Sequence, residues 1–121
     1  MKKSALILAA AASLWASSAS AMTVQEFLTS ANRIPRNPTA LLRSDTRRLM
    51  SETRQAFAAV RSEQEDARMA GRRPATCMPE KVSVSPDALL ARFNAIPPAR
   101  RHISVTQAVR EWMAAEHPCP I

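Results

Sequence analysis

The sequence contains little of what a β-sheet protein needs. It has no tyrosine, a single glycine and only 4% aromatic residues, whereas strands are rich in aromatic and β-branched side chains. No stretch alternates apolar and polar residues over the length of a strand, and no Asn-Gly or Asp-Gly pair marks a hairpin turn. These absences favour an all-α fold, for which we predict about four helices, one of them long and central.

Acidic residues are scarce relative to basic ones. The chain has 17 Lys and Arg against 10 Asp and Glu, which gives a formal net charge of +7. Such a charge suits an acidic or phosphate-bearing partner, but binding to nucleic acid also needs exposed aromatic side chains or a stronger basic patch. The few aromatic residues fall mainly on predicted buried helix faces, so we expect a protein partner and not a nucleic acid.

The N-terminal apolar run is too short to span a bilayer permanently. It covers about eleven residues, Ala5 to Trp15, follows Lys2 and Lys3, and is followed by small residues that end at Ala21, which is typical of a secretory signal peptide. We predict cleavage after Ala21, which removes both lysines and lowers the net charge from +7 to +5. One helical domain, residues 22–121, would remain in the periplasm. The alternative is that residues 1–21 stay attached as an anchor; other membrane contact is not expected.

Capping and breaking residues place the helix boundaries. Thr23 and Glu26 form a capping box that starts a first helix, which we expect to end near Asn32. A short helical turn through Leu42 should follow. The last two helices are predicted from Pro86 to Ile96, after the cap Ser85, and from Val105 to about His117, after the cap Ser104 with Gln107 completing a second capping box. The last helix has a predicted apolar stripe at helical spacing: Val105, Ala108, Val109, Trp112 and Met113.

The longest predicted helix runs from Ser44 or Asp45 to Gly71, the only glycine, whose freedom to adopt a left-handed conformation suits a helix end. In its second half the apolar stripe fades into Gln64 and Ala67 while charged residues become frequent. We therefore expect the second half to project from the core or to contact a partner. The apolar stripe of the first half consists of Leu49, Thr53, Ala56, Phe57 and Val60.

The only two cysteines are Cys77 and Cys119. In an exported chain two cysteines most often form a structural disulfide, which is our prediction. Two alternatives are a thiol nucleophile with His102 or His117 as its base, and a metal site. The candidate ligands of that metal site are Cys77, His102, His117 and Cys119, with Met78 or Met113 for a soft metal. Neither alternative matches a known spacing, so we predict no catalytic residue, no metal and no cofactor.

Arginine recurs every seven residues along the long predicted helix, at Arg47, Arg54, Arg61 and Arg68. Seven residues advance almost two full helical turns, so these side chains should line one edge of the helix beside its apolar stripe. We call these four residues the arginine ridge. It is a candidate docking surface for an acidic protein, a phosphate-rich polymer or an anionic membrane. The alternative is a solvated helix face, because arginine is a good helix former.

The segment between the cysteines resembles a known family. Its features are Cys77-Met78-Pro79, a polar link, a helix that ends at Ile96-Pro97, another helix, and a terminal His117-Pro118-Cys119. This pattern resembles the C-terminal part of the Rap/Tai family of type VI secretion amidase immunity proteins. The resemblance implies a small, exported, largely helical protein, stabilised by a disulfide between Cys77 and Cys119, that binds and blocks a peptidoglycan amidase.

We therefore predict a periplasmic, non-enzymatic binding protein of immunity type, which blocks a peptidoglycan-hydrolysing effector by protein contact. Its strongest contacts are expected at Arg54, Arg61 and Arg68. One alternative is a periplasmic stress or chaperone-like protein that holds unfolded clients. Another is an envelope-associated structural domain whose basic edge lies on anionic lipid. A homodimer is left open.

Overall fold

The computed structural model describes residues 21–120 and is mostly helical. No strand is present in that range, where the one β-type contact is an isolated bridge between Thr23 and Ser104. The predicted signal peptide falls outside the described residues, except for Ala21. The elements are α1 (Val24–Asn32), a first 3₁₀ helix (Pro38–Leu42), α2 (Ser44–Met69), α3 (Pro86–Asn94), a second 3₁₀ helix (Pro98–Arg100) and α4 (Val105–Glu116).

The helix boundaries follow from local chemistry, as predicted. The Thr23 hydroxyl accepts from the Glu26 amide at 3.1 Å, and the Glu26 carboxylate accepts from the Thr23 amide at 3.3 Å, which completes the capping box of α1. After α2, Gly71 adopts φ 70°, and the next amide, of Arg72, donates to the Ala67 carbonyl at 2.8 Å. This is a Schellman ending, which requires the left-handed conformation that glycine adopts without strain.

One capping prediction is wrong in part. The Ser104 hydroxyl accepts from the Gln107 amide at 3.0 Å, but the Gln107 side chain does not reach back to complete a capping box. It accepts instead from Arg110, one turn further along α4. Arg110 also donates to Glu63 of α2. A contact between helices therefore engages the glutamine that local sequence assigns to the cap.

The core lies where α2 packs along α4, with α1 and α3 closing its sides. Phe27 of α1 meets Phe93 of α3 edge to face, with ring centroids 5.1 Å apart, and Phe57 meets Trp112 in the same way at 6.2 Å. Such edge-to-face pairs bring the positive edge of one ring to the negative face of the other. The predicted stripe of α4 is buried throughout: Val105, Ala108, Val109, Trp112 and Met113.

The second half of α2 does not project from the core, so that part of the expectation was wrong, whereas the alternative, contact with a partner, stays a prediction. Gln64 is only 3% exposed and Ala67 is also buried. The Gln64 amide oxygen accepts from the backbone amide of Met78 at 2.7 Å and from the Thr76 hydroxyl at 3.3 Å. A buried polar group must keep its hydrogen bonds, and Gln64 does so by binding the loop that follows α2.

The predicted disulfide between Cys77 and Cys119 is present, and it closes a sequence separation of 42. The Cys77 amide donates to the His117 carbonyl at 2.8 Å, and Arg73 donates to the Cys119 carbonyl at 2.9 Å. Both sulfurs are in the bond, so neither a thiolate nucleophile nor a thiolate metal ligand is available from them.

Within residues 21–120, no helix combines the length and the apolar character needed to cross a membrane.

Candidate protein-binding face

All four residues of the arginine ridge lie on α2, but their surroundings differ. Arg47, Arg54 and Arg68 are exposed, whereas Arg61 is half-buried. Seven residues of a straight α-helix turn about 20° less than two full turns, so a seven-residue repeat drifts around the helix by about 20° per step. The ridge therefore moves around α2 toward the buried side as it approaches the C-terminal end of the helix.

Both arginines in the second half of the ridge make contacts within the protein. The Arg61 guanidinium donates to the Pro79 carbonyl at 3.0 Å and so ties α2 to the loop that carries Cys77. Arg68 forms an ion pair with Glu65, one turn away on the same helix, at 3.3 Å. Both contacts use donors that a partner would need, so the structure places a structural role on Arg61 that the sequence did not predict.

The first half of the ridge is free of such contacts. Among the described residues, Arg47 and Arg54 form no ion pair, and the Arg54 side chain reaches only the Met50 carbonyl of its own helix, at 3.4 Å. Arg43, which precedes α2, pairs with Asp45 at 3.2 Å on the surface. Arginine cannot accept a hydrogen bond, so α2 begins without a side-chain cap.

Charge is distributed unevenly along α2. Its N-terminal half and the residue before it carry four arginines against two carboxylates, whereas residues 61–69 carry two arginines against three carboxylates. The N-terminal end of a helix is already the positive end of its dipole, so excess positive charge there is the less favourable arrangement. The basic residues are Arg43, Arg47, Arg48 and Arg54, and the carboxylates of that half are Asp45 and Glu52.

Exposed apolar side chains lie at the same end of α2, and sequence reasoning missed them. Leu41 is 70% exposed and Leu42 81% in the first 3₁₀ helix, and Met50 is 49% exposed. Met50 lies three residues after Arg47 and four before Arg54, which places it on their side of the helix. We define the basic-apolar face as Leu41, Leu42, Arg43, Arg47, Met50 and Arg54.

A sequence signal for this face did exist. Leu41 and Leu42 are consecutive residues of a short helical turn and point in different directions, so a core that lies on one side of the turn leaves at least one of them exposed. Met50 follows the stripe residue Leu49 and falls outside the stripe for the same reason. Three exposed large apolar residues near one helix end form a more informative surface than scattered single ones.

An ion pair on the other side of α2 joins that helix to α4. Arg110 donates to both carboxylate oxygens of Glu63, at 2.6 and 2.8 Å. The hydrogen bonds from Arg110 hold the pKa of Glu63 below its usual value, and the same bonds raise the pKa of Arg110. This bidentate pair adds a polar link to the apolar packing of α2 against α4, and it does not belong to the basic-apolar face.

The two histidines lie in the turn before α4 and at the C-terminal end of α4. The His102 ring contacts the Ala99 carbonyl at 3.1 Å, and His117 is the C-terminal cap of α4. Across the part of the chain that the structure describes, no three His, Cys, Asp or Glu residues come together as a metal site requires. Two surface grooves, of about 410 and 230 Å³, are open or partly open to solvent.

Comparison with protein-family models, with curated proteins and with solved structures found no match for this chain. The resemblance to the Rap/Tai family therefore stays a prediction. What is known of the surface comes from the chain's own chemistry, which offers an exposed basic and apolar face on a cross-linked helical scaffold.

Proposed function

We propose that this protein is a periplasmic binding protein of immunity type, which blocks a peptidoglycan-hydrolysing enzyme by protein contact. The observation that carries the proposal is the basic-apolar face, which combines exposed apolar side chains with arginines that, within residues 21–120, make no ion pair beyond that of Arg43 with Asp45. Arginines around apolar anchors are a composition enriched at protein interfaces. The class of partner comes from the resemblance of the segment between Cys77 and Cys119 to the Rap/Tai family.

The scaffold supports this proposal in a second way. The disulfide is compatible with an oxidising compartment. It also joins the loop after α2 to the end of α4, while Gln64 and Arg61 bind that loop to α2. These contacts hold the C-terminal half of the helix that carries the face, and a scaffold held in this way loses less entropy when it binds.

The proposal is tested with the oxidised protein, residues 22–121, used to capture partners from lysates and secretions of its own bacterium. We expect one cell-wall hydrolase in a stoichiometric complex, and we expect the purified hydrolase to lose activity on peptidoglycan when one equivalent of the protein is added. A hydrolase that binds but stays active would contradict the proposal, and so would the absence of any hydrolase.

Two other functions would be recognised in the same experiment. A chaperone-like protein would capture many unfolded envelope proteins weakly, in place of one partner. An envelope-associated domain would bind anionic vesicles in a salt-sensitive way, because its arginines would contact lipid phosphates. The exposed Leu41 and Leu42 are compatible with either, but the small extent of this apolar surface favours one defined partner.

A further inference from the structure

We infer that the partner presents an acidic surface around an apolar depression, and that this surface receives Leu41 and Leu42 while its carboxylates bind Arg47 and Arg54. The inference rests on the proposed function and names the chemistry and the position of its interface. It also moves the interface along α2. The sequence predicted the strongest contacts at Arg54, Arg61 and Arg68, whereas the structure favours the first half of the ridge, so that only Arg54 is common to both.

The apolar part of the argument comes from exposure. Leu41 and Leu42 are 70% and 81% exposed, although the structure buries most of its other leucines at least partly. The two leucines lie immediately before Arg43, at the free N-terminal end of α2. Side chains exposed this far lose most of their contact with water when a complementary depression covers them. They are therefore the natural anchors of an interface at this end.

The charged part of the argument comes from what the arginines lack. Among the described residues, neither Arg47 nor Arg54 forms an ion pair. A guanidinium binds a carboxylate through two parallel hydrogen bonds, which gives direction as well as attraction. The two arginines are seven residues apart, or about 10 Å along the helix. A partner with carboxylates at a similar separation would satisfy both.

A second copy of this chain does not fit the same face. In a two-fold contact, each surface meets itself, so arginines would be brought close to arginines. Like charges placed together across an interface oppose association. The carboxylates that could relieve this repulsion are few at this end of α2, and Asp45 is already paired with Arg43.

A lipid surface is also a poorer fit than a protein. Helices that lie on membranes insert a continuous apolar face. The apolar face of α2 is instead buried against the core, at Leu49, Ala56 and Val60, which leaves Met50 alone on the exposed side of its first half. Three exposed apolar side chains suit a depression of limited size on a folded protein better than an extended bilayer.

The test measures the affinity of the captured hydrolase for surface variants of the oxidised protein, by titration calorimetry. We expect the double variant Leu41→Asp with Leu42→Asp to bind about 100-fold more weakly, and Arg47→Glu with Arg54→Glu at least about 10-fold more weakly. Raising the salt concentration should weaken the wild type more than the arginine variant. All the substituted side chains are exposed, so helical content should be unchanged.

Two matched controls lie at the other end of α2. Met69 is 87% exposed and Arg72 is exposed. The single variants Met69→Asp and Arg72→Glu therefore make the same kinds of substitution, one each, away from the proposed interface. We expect both to bind within about 2-fold of the wild type. Equal loss in these controls and in the face variants would overturn the inference, because the effect would then be one of overall charge.

The outcomes separate the inference from the proposed function. A hydrolase that binds the wild type and the face variants equally well would overturn this interface and leave the immunity function standing. No binding of any hydrolase would overturn both. Binding of the wild type to vesicles of phosphatidylglycerol, lost in the leucine variant, would overturn the protein partner in favour of lipid. A photo-crosslinker in place of Leu42, but not of Met69, should attach to an acidic segment of the hydrolase.

Discussion

The two halves of α2 carry arginine at the same seven-residue spacing, yet they do different things. In the C-terminal half, Gln64 and Arg61 bind the backbone of the following loop, and Glu63 binds α4. In the N-terminal half, Arg47 and Arg54 point to solvent beside exposed apolar residues. Equal spacing in the sequence thus does not imply equal roles, because within residues 21–120 the polar side chains of α2 that bind other elements all lie in its C-terminal half.

Removal of the disulfide should give the largest change in stability of the tests that compare the two halves of α2. The double variant Cys77→Ser with Cys119→Ser frees a loop with a sequence separation of 42 and should lower the free energy of unfolding by about 4 kcal/mol. Denaturant titration measures the loss. We also expect the backbone amides of residues 77 and 78 to exchange their hydrogens faster in this variant, and those in the first half of α2 to change less. Uniform acceleration along α2 would mean that its two halves are not separate in stability.

Removal of the Gln64 amide should have the next largest effect. The Gln64→Ala variant leaves the buried Met78 amide and Thr76 hydroxyl without their acceptor, which should cost about 2 to 3 kcal/mol. The matched control is Gln55→Ala in the first half, whose side chain makes only a surface hydrogen bond to Ser51. That control should stay within about 0.5 kcal/mol of the wild type by thermal or denaturant unfolding. Similar losses in both variants would argue against the assigned role of Gln64.

A comparison of two ridge arginines sharpens the contrast. Arg61→Ala removes a hydrogen bond from a half-buried guanidinium to the Pro79 carbonyl and should destabilise the protein by about 1 kcal/mol. Arg54→Ala should change the free energy of unfolding by less than about 0.5 kcal/mol, because its side chain is exposed. The affinities for the hydrolase should rank the other way. A ridge that acts as one unit would instead give equal effects in each assay.

The smallest effect concerns pH. The Glu63 pKa is lower in the folded protein than its ordinary value of 4.5, so the ion pair stabilises the protein above that value, and this contribution is lost as the pH falls through the folded pKa. Both partners are partly exposed, so the coupling should be about 0.2 to 1 kcal/mol at pH 7. A double-mutant cycle with Glu63→Gln and Arg110→Gln measures it. A coupling that persists well below the folded pKa would contradict the pairing.

Much of the fold could be predicted because its signals are local. Thr23 with Glu26, the single Gly71 and the stripe of α4 each act within a few residues, and each was placed correctly. Helix α3 ends at Asn94, two residues before the predicted Ile96. Pro97 explains the difference, because the residue before a proline avoids the helical conformation. The disulfide was predictable because the chain has only two cysteines.

The errors concern contacts between distant parts of the chain. Gln64 looked like the end of an apolar stripe, but the backbone that makes its burial favourable lies 14 residues away, at Met78. Gln107 looked like a cap partner, but it contacts Arg110, whose position depends on Glu63 of another helix. The arginine ridge stays a predicted docking surface, but the sequence could not show that one of its members, Arg61, binds the Pro79 carbonyl of a distant loop.

The bridge between the starts of α1 and α4 also constrains the order in which the chain folds. The Val24 amide donates to the Ile103 carbonyl, and the Val105 amide donates to the Met22 carbonyl, at 2.9 and 2.8 Å. These partners are separated by about 80 residues, and contacts between such distant residues form slowly. Helix α1 also packs on α2 and α3, but its contact with α4 can form only after nearly all of residues 21–120 have been synthesised, so this part of the native core is completed last.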